Sequence, residues 1–533
     1  MPDRARYYIT SPIYYVNDAP HIGHAYTTLA CDVLARFMRL DGREVRFLTG
    51  TDEHGQKVEK AAALAGMAPK DFTDKVSRNF RDLATAMNFS HDDFIRTTED
   101  RHIRACQGIW QAIAANKTPK GNANIYLGQY DGWYAVRDEA FYDEKELTTG
   151  ADGKKRAPSG AEVEWVVEPS YFFRLSDWQE WLLEYYERGN PDFIGPTTRR
   201  NEVLSFVRGG LTDLSISRTS FKWGVPVPGA PGHVMYVWLD ALTNYATALG
   251  YPDPNAALFR RFWPADLHVV GKDIVRFHTV YWPAFLAAAG AAPPRRVFAH
   301  GWWTNEGQKI SKSLGNVIEP HALITRYGLD PVRYFLLREV PFGQDGDFSH
   351  RAMVGRLNSD LANDLGNLAQ RVLGFIAKNA GAVVPQPGAF AVEDEEILAE
   401  ARGLCGRVRA LLVGAPNAPE FHRALEGVWG LVTKANFFVD RQAPWTLRKT
   451  DAARMRTVLY VLVEVLRHVA LVLQPFMPDS MAKMLDQLAV PDEARDFASL
   501  ELPLVAGTAL PAPSGIFPRF VDDADRSHVD VDR

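Results

Sequence analysis

DAPHIGHAYTTLACDVLARF, residues 18–37, sets a proline, two histidines and a glycine directly before an amphipathic run. Leu29, Val33, Leu34, Phe37 and Met38 recur at helical spacing, and Gly42 stops the run. Upstream, YYITSPIYY (7–15) reads as a buried strand; downstream, EVRFLTG (44–50) reads as a second strand that passes into TDEHG. Strand, turn, helix, strand is a βαβ unit, and it requires parallel strands. Ligands of such sheets bind beyond the carboxyl ends of the strands, which puts the PHIGH turn on the ligand edge. A helix N-terminus there presents N–H groups and a partial positive charge to phosphate. Gly23 removes a Cβ from the path of a flat ring system, and the His21 and His24 imidazoles add donors. Taken alone, the stretch slightly favours ordinary packed histidines over a phosphate site; a metal pair is the other structural reading, with His54 as the one nearby third ligand.

Farther along, the same rhythm returns. HVMYVWL (233–239) and LHVVG (267–271) precede helical runs, the second being KDIVRFHTVYWPAFL, and RVFAHGWW (296–303) precedes a glycine-punctuated loop. Between the halves, residues 117–232 are rich in Gly, Thr, Trp and Tyr and read as an insertion. From about residue 350, helical patterns follow one another at 352–379, 393–414, 420–440 and 452–489, a helix bundle. The expected division is a first catalytic half (1–116), the insertion (117–232), a second half (233–322), a connecting region (323–360), a helical domain (361–511) and a charged tail (512–533). The fold class is therefore α/β: a doubly wound, Rossmann-like parallel sheet with an insertion, followed by an α-helical bundle.

The 533 residues carry a formal net charge of −5, so no overall basic field draws in nucleic acid and local patches must do so. Three scattered cysteines, Cys31, Cys106 and Cys405, exclude a disulfide framework and fit a reducing compartment. No apolar leader opens the chain. The most apolar stretch, 458–477, contains Glu464, Arg467 and His468, which marks a buried bundle helix rather than a membrane span. A cytoplasmic location is expected.

GQKISKSLGN (307–316) then changes the weight of the PHIGH turn. It joins Lys309 and Lys312 to Ser311, Ser313 and flanking glycines, after a late strand of the same fold. Alone it is a solvated basic loop. Together the two segments resemble the HIGH and KMSKS signatures of class I aminoacyl-tRNA synthetases, with Ile310 in place of the usual Met. From Tyr7 to about Pro503 the chain is most similar to the methionyl members. The similarity is carried by YYITSPIYYVNDAPHIGH, GTDEHG (50–55), GLTDLSISR (210–218), VWLDALTNY (237–245), GKDIVRFH (271–278), GNLAQR (366–371) and APW (443–445).

The resemblance implies two-step charging of methionine tRNA, elongator and initiator, with ATP and Mg2+. It implies catalytic and ATP-binding roles for His21, Gly23, His24, Lys309, Ser311, Lys312 and Ser313, and a methionine site of Ile13, Asp52, Trp238, Ala241, Leu242, Tyr245 and His278. The chemistry agrees: an ammonium needs a carboxylate, which Asp52 offers, and a thioether suits a polarizable aromatic wall. Asn367 and Arg371, four apart on one helix face, with Trp445 behind Pro444, are implied for the anticodon. A turn-capping Asp52, a core-packed Trp238–Tyr245 pair and a Trp445 closing the bundle are the structural alternatives. Functional alternatives are another class I synthetase, a non-catalytic tRNA-binding paralogue, or a small adenylyltransferase, which has no use for so long a bundle.

The chain departs from many relatives in one respect. From Ile103 to Gly232 there is one cysteine, Cys106, and no histidine, too few ligands for a zinc knuckle. YDEKELTTGADGKKRAPSGAEVEWV is expected as a plain loop or hairpin, with no structural zinc. No appended tRNA-binding module is expected beyond the bundle, and a monomer is expected with it.

Overall fold

Four of the anticipated strands, joined by Asp93–Arg96 and Ile194–Gly195, which were not anticipated, pair into a six-stranded sheet, in the order Asp93–Arg96, Glu44–Asp52, Arg6–Tyr15, Leu267–Gly271, Val297–His300 and Ile194–Gly195. Neighbours run parallel where Ile9 faces Leu267, Thr51 faces Arg96 and Val297 faces Ile194. The computed structural model describes residues 5–16, 19–138, 140–142, 144–310, 317–414 and 417–521. Two compact units result: one joins Arg6–Pro20 to Arg46–Ala299, the other joins His21–Val45 to the described residues from His300 onward.

Within the first unit, one contiguous apolar core runs from Tyr8 and Leu48 through Tyr245 to Trp282. The insertion is a four-stranded sheet in the order Leu214–Ser215, Glu164–Phe173, Ile125–Ala135, Ala140–Tyr142. It also supplies Ile194–Gly195, the edge strand of the main sheet, which the sequence reading had left inside the insertion. The stretch expected as a loop or hairpin forms a two-stranded ribbon, Thr148–Thr149 against Lys155–Arg156.

Two strand readings and one helix reading are corrected. HVMYVWL keeps only Val234–Met235, paired antiparallel with Ser217–Arg218 outside the main sheet. The helix begins at Val237, so Trp238 lies in its first turn. RVFAHGWW splits into Val297–His300 and Trp303–Asn305. At Gly301, between them, a Cβ would sit 2.1 Å from the Gln344 carbonyl oxygen. The run read as one helix after LHVVG is a 3₁₀ turn, a wider π turn at Phe277–Tyr281, and the helix Trp282–Ala288.

In the second unit, the helix Ile22–Leu40 is buried almost all round, Asp32 included. Arg333 donates to the Asp32 carboxylate at 2.7 Å and to the carbonyls of Phe476 and Pro475, and Arg36 donates to Asp32 at 2.8 Å. This buried charge is thus paired and hydrogen-bonded, the condition under which burial is tolerated. The run 352–379 is helical throughout, but π-type turns at Leu357–Gly366 widen it midway. The run 452–489 is two helices, Ala452–Leu473 and Pro478–Gln487. The first ends just before Pro475, which has no N–H to continue its hydrogen-bond ladder. Helices Val392–Arg409 and Phe421–Gln442 pack against Ala452–Leu473. In Ala452–Leu473, Glu464 accepts from Arg467 at 2.8 Å, and no helix of the described residues is long and apolar enough to cross a membrane. Most of the charged tail, 522–533, lies outside the described residues.

Candidate active site

Asp52 is the last residue of its strand and is buried. The chain is then held residue by residue. The Val16 N–H donates to the Asp52 carbonyl at 3.1 Å. The Glu53 carboxylate takes a bidentate pair from Arg96 at 2.6 and 2.8 Å, plus Thr51 at 2.7 Å and Thr98 at 2.6 Å. Two parallel guanidinium bonds fix orientation as well as charge. Trp223 closes the loop: its indole N–H donates to the Glu53 carbonyl at 2.6 Å, and its carbonyl accepts from the Gly55 N–H at 2.9 Å. Gly55 has φ 106°, a conformation that other residues rarely adopt. His54 donates to Asp240. Of these groups the sequence reading gave a substrate role to Asp52 alone and named His54 only as a possible metal ligand. The run of charged residues in TDEHG was the signal for Glu53 and His54; Trp223 and Arg96 had none.

Helix Val237–Thr247 carries Trp238, Ala241, Leu242 and Tyr245. The Trp238 ring, partly buried, stacks on Phe277 with centroids 3.4 Å apart and planes 9° from parallel. Ile13 and Trp238 pack against the core that holds Leu242 and Tyr245. Tyr8 donates to the Tyr245 carbonyl at 2.8 Å, and the Tyr245 ring stacks on His268 at 4.1 Å. The Tyr245 hydroxyl lies 2.7 Å from His278 Nε2, and His278 Nδ1 lies 2.9 Å from the Ile274 carbonyl. A carbonyl only accepts, so Nδ1 carries the proton and Nε2 accepts from the tyrosine. Burial pushes the His278 imidazole down to about 4, so at neutral pH it is an uncharged ring of fixed tautomer. His268, 2.7 Å from the Thr10 hydroxyl, is likewise pushed down by burial.

In the other unit, His21 caps the helix Ile22–Leu40. Its Nδ1 accepts from the Gly23 N–H at 3.1 Å, and the His21 N–H donates to His24 Nδ1 at 3.0 Å. The two rings lie 3.9 Å apart, and burial with the neighbouring His21 lowers the His24 pKa. Both Nδ1 atoms accept, so the neutral rings carry their protons at Nε2. A Cβ on Gly23 would come within 2.9 Å of His21 Cε1. The space that glycine leaves is filled by the capping ring, where the sequence reading put a ligand. Gln308–Lys309 forms a hairpin with Trp303–Asn305 through Glu306 and Gly307, both at positive φ, as a tight two-residue hairpin turn requires. Asp347 anchors it, accepting from the Gly307 N–H at 2.8 Å and the Thr304 hydroxyl at 2.6 Å. Ser311, Lys312 and Ser313 lie outside the described residues, as does the Lys309 side chain. Where the chain resumes, the Ile318 carbonyl accepts from the Ile22 N–H at 3.1 Å, next to the capping histidines.

Asn367 opens the helix Asn367–Asn379 and is exposed. Arg371 on that helix donates to Asp440 at 2.5 Å and lies 5.6 Å over the Trp445 ring. Ala443, at φ 44°, turns the chain between Phe421–Gln442 and Pro444–Thr450. That turn leaves Trp445 43 % exposed instead of in the bundle core. Among the described residues, one group of buried metal-capable side chains occurs: His102, Cys106 and Asp240.

Two family models match: tRNA synthetases class I (M) over residues 7–373, and the anticodon binding domain of methionyl tRNA ligase over 384–530. A methionine–tRNA ligase of Mesorhizobium japonicum is 56 % identical over 97 % of this chain and 98 % of its own. One of Rickettsia bellii is 56 % identical over 96 % and 99 %. The Mycobacterium tuberculosis methionyl-tRNA synthetase in complex with methionyl-adenylate superposes with a TM-score of 0.92 at 53 % identity, covering 97 % of this chain and all of that one. The sheet, the histidine-capped helix and the helical bundle thus sit in a chain that belongs to the methionyl-tRNA synthetases, the class I ligases that join methionine to tRNA.

Proposed function

We propose a residue-level account of how this ligase works. Methionine's carboxylate attacks the α-phosphate of ATP, giving methionyl-adenylate and pyrophosphate; the methionyl group then passes to the terminal ribose of methionine tRNA. The attacking group is already anionic, so no protein nucleophile is needed, and catalysis is positioning and charge stabilisation. Asp52 pairs with the substrate ammonium. Tyr245 and neutral His278 border the side chain without a charge to desolvate, and Ile13, Trp238, Ala241 and Leu242 line the thioether. His21 and His24 offer Nε2–H to phosphate oxygens. Lys309 and Lys312 meet the charge that grows on pyrophosphate, with Ser311 and Ser313 as further donors and Gly23 giving the His21 ring its place. Mg2+ accompanies ATP on its phosphates. Asn367, Arg371 and Trp445 read the anticodon of elongator and initiator tRNA. The chain works as a cytoplasmic monomer without structural zinc, with the insertion at 117–232 and the helical anticodon domain at 361–511.

The observation that carries the pocket is the Tyr245–His278–Ile274 chain of hydrogen bonds, a polar pair made uncharged and immobile beside Trp238. Pyrophosphate exchange across a panel of amino acids tests it: methionine alone should support exchange, followed by charging of both methionine tRNAs. Preference for cysteine, leucine or valine overturns the pocket, and absence of exchange supports a non-catalytic paralogue. Lys312→Ala should slow exchange about 100- to 1,000-fold, the cost of one lost charge-stabilising donor, and leave methionine affinity nearly unchanged. One equivalent of tightly bound zinc by elemental analysis refutes the zinc-free reading.

A further inference from the structure

Asp240 is fully buried in the first turn of the helix that carries Trp238, Ala241, Leu242 and Tyr245. One carboxylate oxygen lies 2.7 Å from His54 Nδ1, the other 2.8 Å from His102 Nε2. A carboxylate only accepts, so both ring nitrogens donate. His102 is itself fixed: its Nδ1 lies 3.2 Å from the Thr247 hydroxyl, and Cys106 Sγ lies 3.2 Å from its Nε2. Burial would raise the Asp240 pKa, but the two histidines outweigh it and hold the group below the usual carboxylate range.

Two readings compete for this cluster. His102, Cys106 and Asp240 place their ligand atoms within 4.8 Å of one another, as a metal site would. Tetrahedral zinc at about 2.0–2.1 Å from N and O ligands separates them by about 3.3 Å. The observed N–O separations of 2.7 and 2.8 Å are hydrogen-bond distances. The geometry is that of a clamp.

We propose that Asp240 is a positioning residue for methionine: gripped by His54 from the Asp52 loop and by His102 from helix Asp100–Ala115, it holds that loop against the pocket helix. His54 stands two residues from Asp52, and Asp240 stands two from Trp238 and one from Ala241, so the clamp joins the ammonium end of the pocket to its side-chain wall. It rests on the methionine-site reading above. Losing one N–H donor lets the loop move, and displacements of about 1 Å at a binding group cost up to about 100-fold.

The test compares His54→Ala, which removes the donor, with His54→Asn, which retains an N–H near the Nδ1 position. In pyrophosphate exchange, His54→Ala should raise KM for methionine about 10- to 100-fold while KM for ATP and kcat stay within about threefold, and His54→Asn should recover most of the loss. Equal behaviour of the two variants, or a fall in kcat and Tm with KM for methionine unchanged, overturns the clamp. Asp52→Asn serves as the control. If it leaves KM for methionine unchanged, the pocket reading itself has failed; if it raises KM and His54→Ala does not, the clamp alone has failed. One equivalent of zinc in the wild-type protein, lost in His102→Gln, overturns the clamp in favour of a metal site.

Discussion

The proposed methionine pocket and the proposed anticodon face are built on opposite principles. Around Asp52, successive residues of TDEHG are bonded to Val16, Arg96, Trp223 and Asp240, and the pocket tyrosine and histidine are dry and partnered. On the bundle, Trp445 is left half in solvent and Arg371 is steadied by one exposed carboxylate. A ligand of a few heavy atoms has little surface to offer, so specificity must come from groups whose water is already gone and whose geometry is already fixed. A single-stranded anticodon offers broad flat bases, which need an exposed ring and a planar cation. Losses should therefore be steep and confined to methionine at one place, shallow and confined to tRNA at the other.

Asp52→Asn attacks the contrast at its strongest point. Removing the charge leaves the bound ammonium partly buried without a counter-charge, a loss of about 2–5 kcal/mol, or about 30- to 5,000-fold in KM for methionine. ATP binding should hold within a few fold. Equal loss for both substrates in exchange kinetics breaks the contrast.

His278 sharpens it through pH. Its folded pKa of about 4 lies below the unfolded value of about 6.5. The unfolded chain therefore takes up the proton first as pH falls. The contribution is complete above pH 6.5 and is lost as pH drops from about 6.5 to about 4, by up to about 3 kcal/mol. Urea unfolding of wild type and His278→Gln should show their difference shrinking across that window, and a pH-independent difference refutes the assignment.

What was legible in the sequence follows the same divide. Periodicity exposed the strands Arg6–Tyr15 and Glu44–Asp52 and the bundle helices, because those elements bury one face or all faces in a regular register. It failed at HVMYVWL, whose apolar run is satisfied by a short strand and then a buried helix, two states that share one hydrophobic pattern. Short motifs marked Asp52, Trp238, Tyr245 and His278. They did not mark Trp223, His102 or the bond of His54 to Asp240, since these meet through contacts 138 to 186 residues apart in the chain. The capping role of His21 was missed for another reason: its Nδ1 serves the chain's own Gly23 N–H, and composition does not tell a ligand donor from a helix cap.

Trp445→Ala probes the shallow side. Stacking one base is worth about 1–3 kcal/mol, so tRNA charging should fall about 5- to 150-fold while pyrophosphate exchange stays intact. Parallel loss of both activities, with a lowered Tm, assigns the ring to the bundle after all.

Asp440→Asn should have the smallest effect, and it asks what steadies Arg371. The carboxylate is largely exposed, the guanidinium less so, and they meet at 2.5 Å. Exposed pairs contribute about 0.2–1 kcal/mol. The Trp445 ring below Arg371 supplies a second, sequence-independent hold of about 0.5–1 kcal/mol, and it survives the substitution. The net change in charging should therefore stay below about fivefold, and it should shrink further as salt rises, because screening weakens the ion pair and leaves the ring contact. Titrating charging rate against salt for wild type and Asp440→Asn reads this directly. A loss as deep as that of Trp445→Ala, unchanged by salt, would mean that Asp440 meets the RNA itself, and the anticodon face would then share the pocket's reliance on one fixed carboxylate.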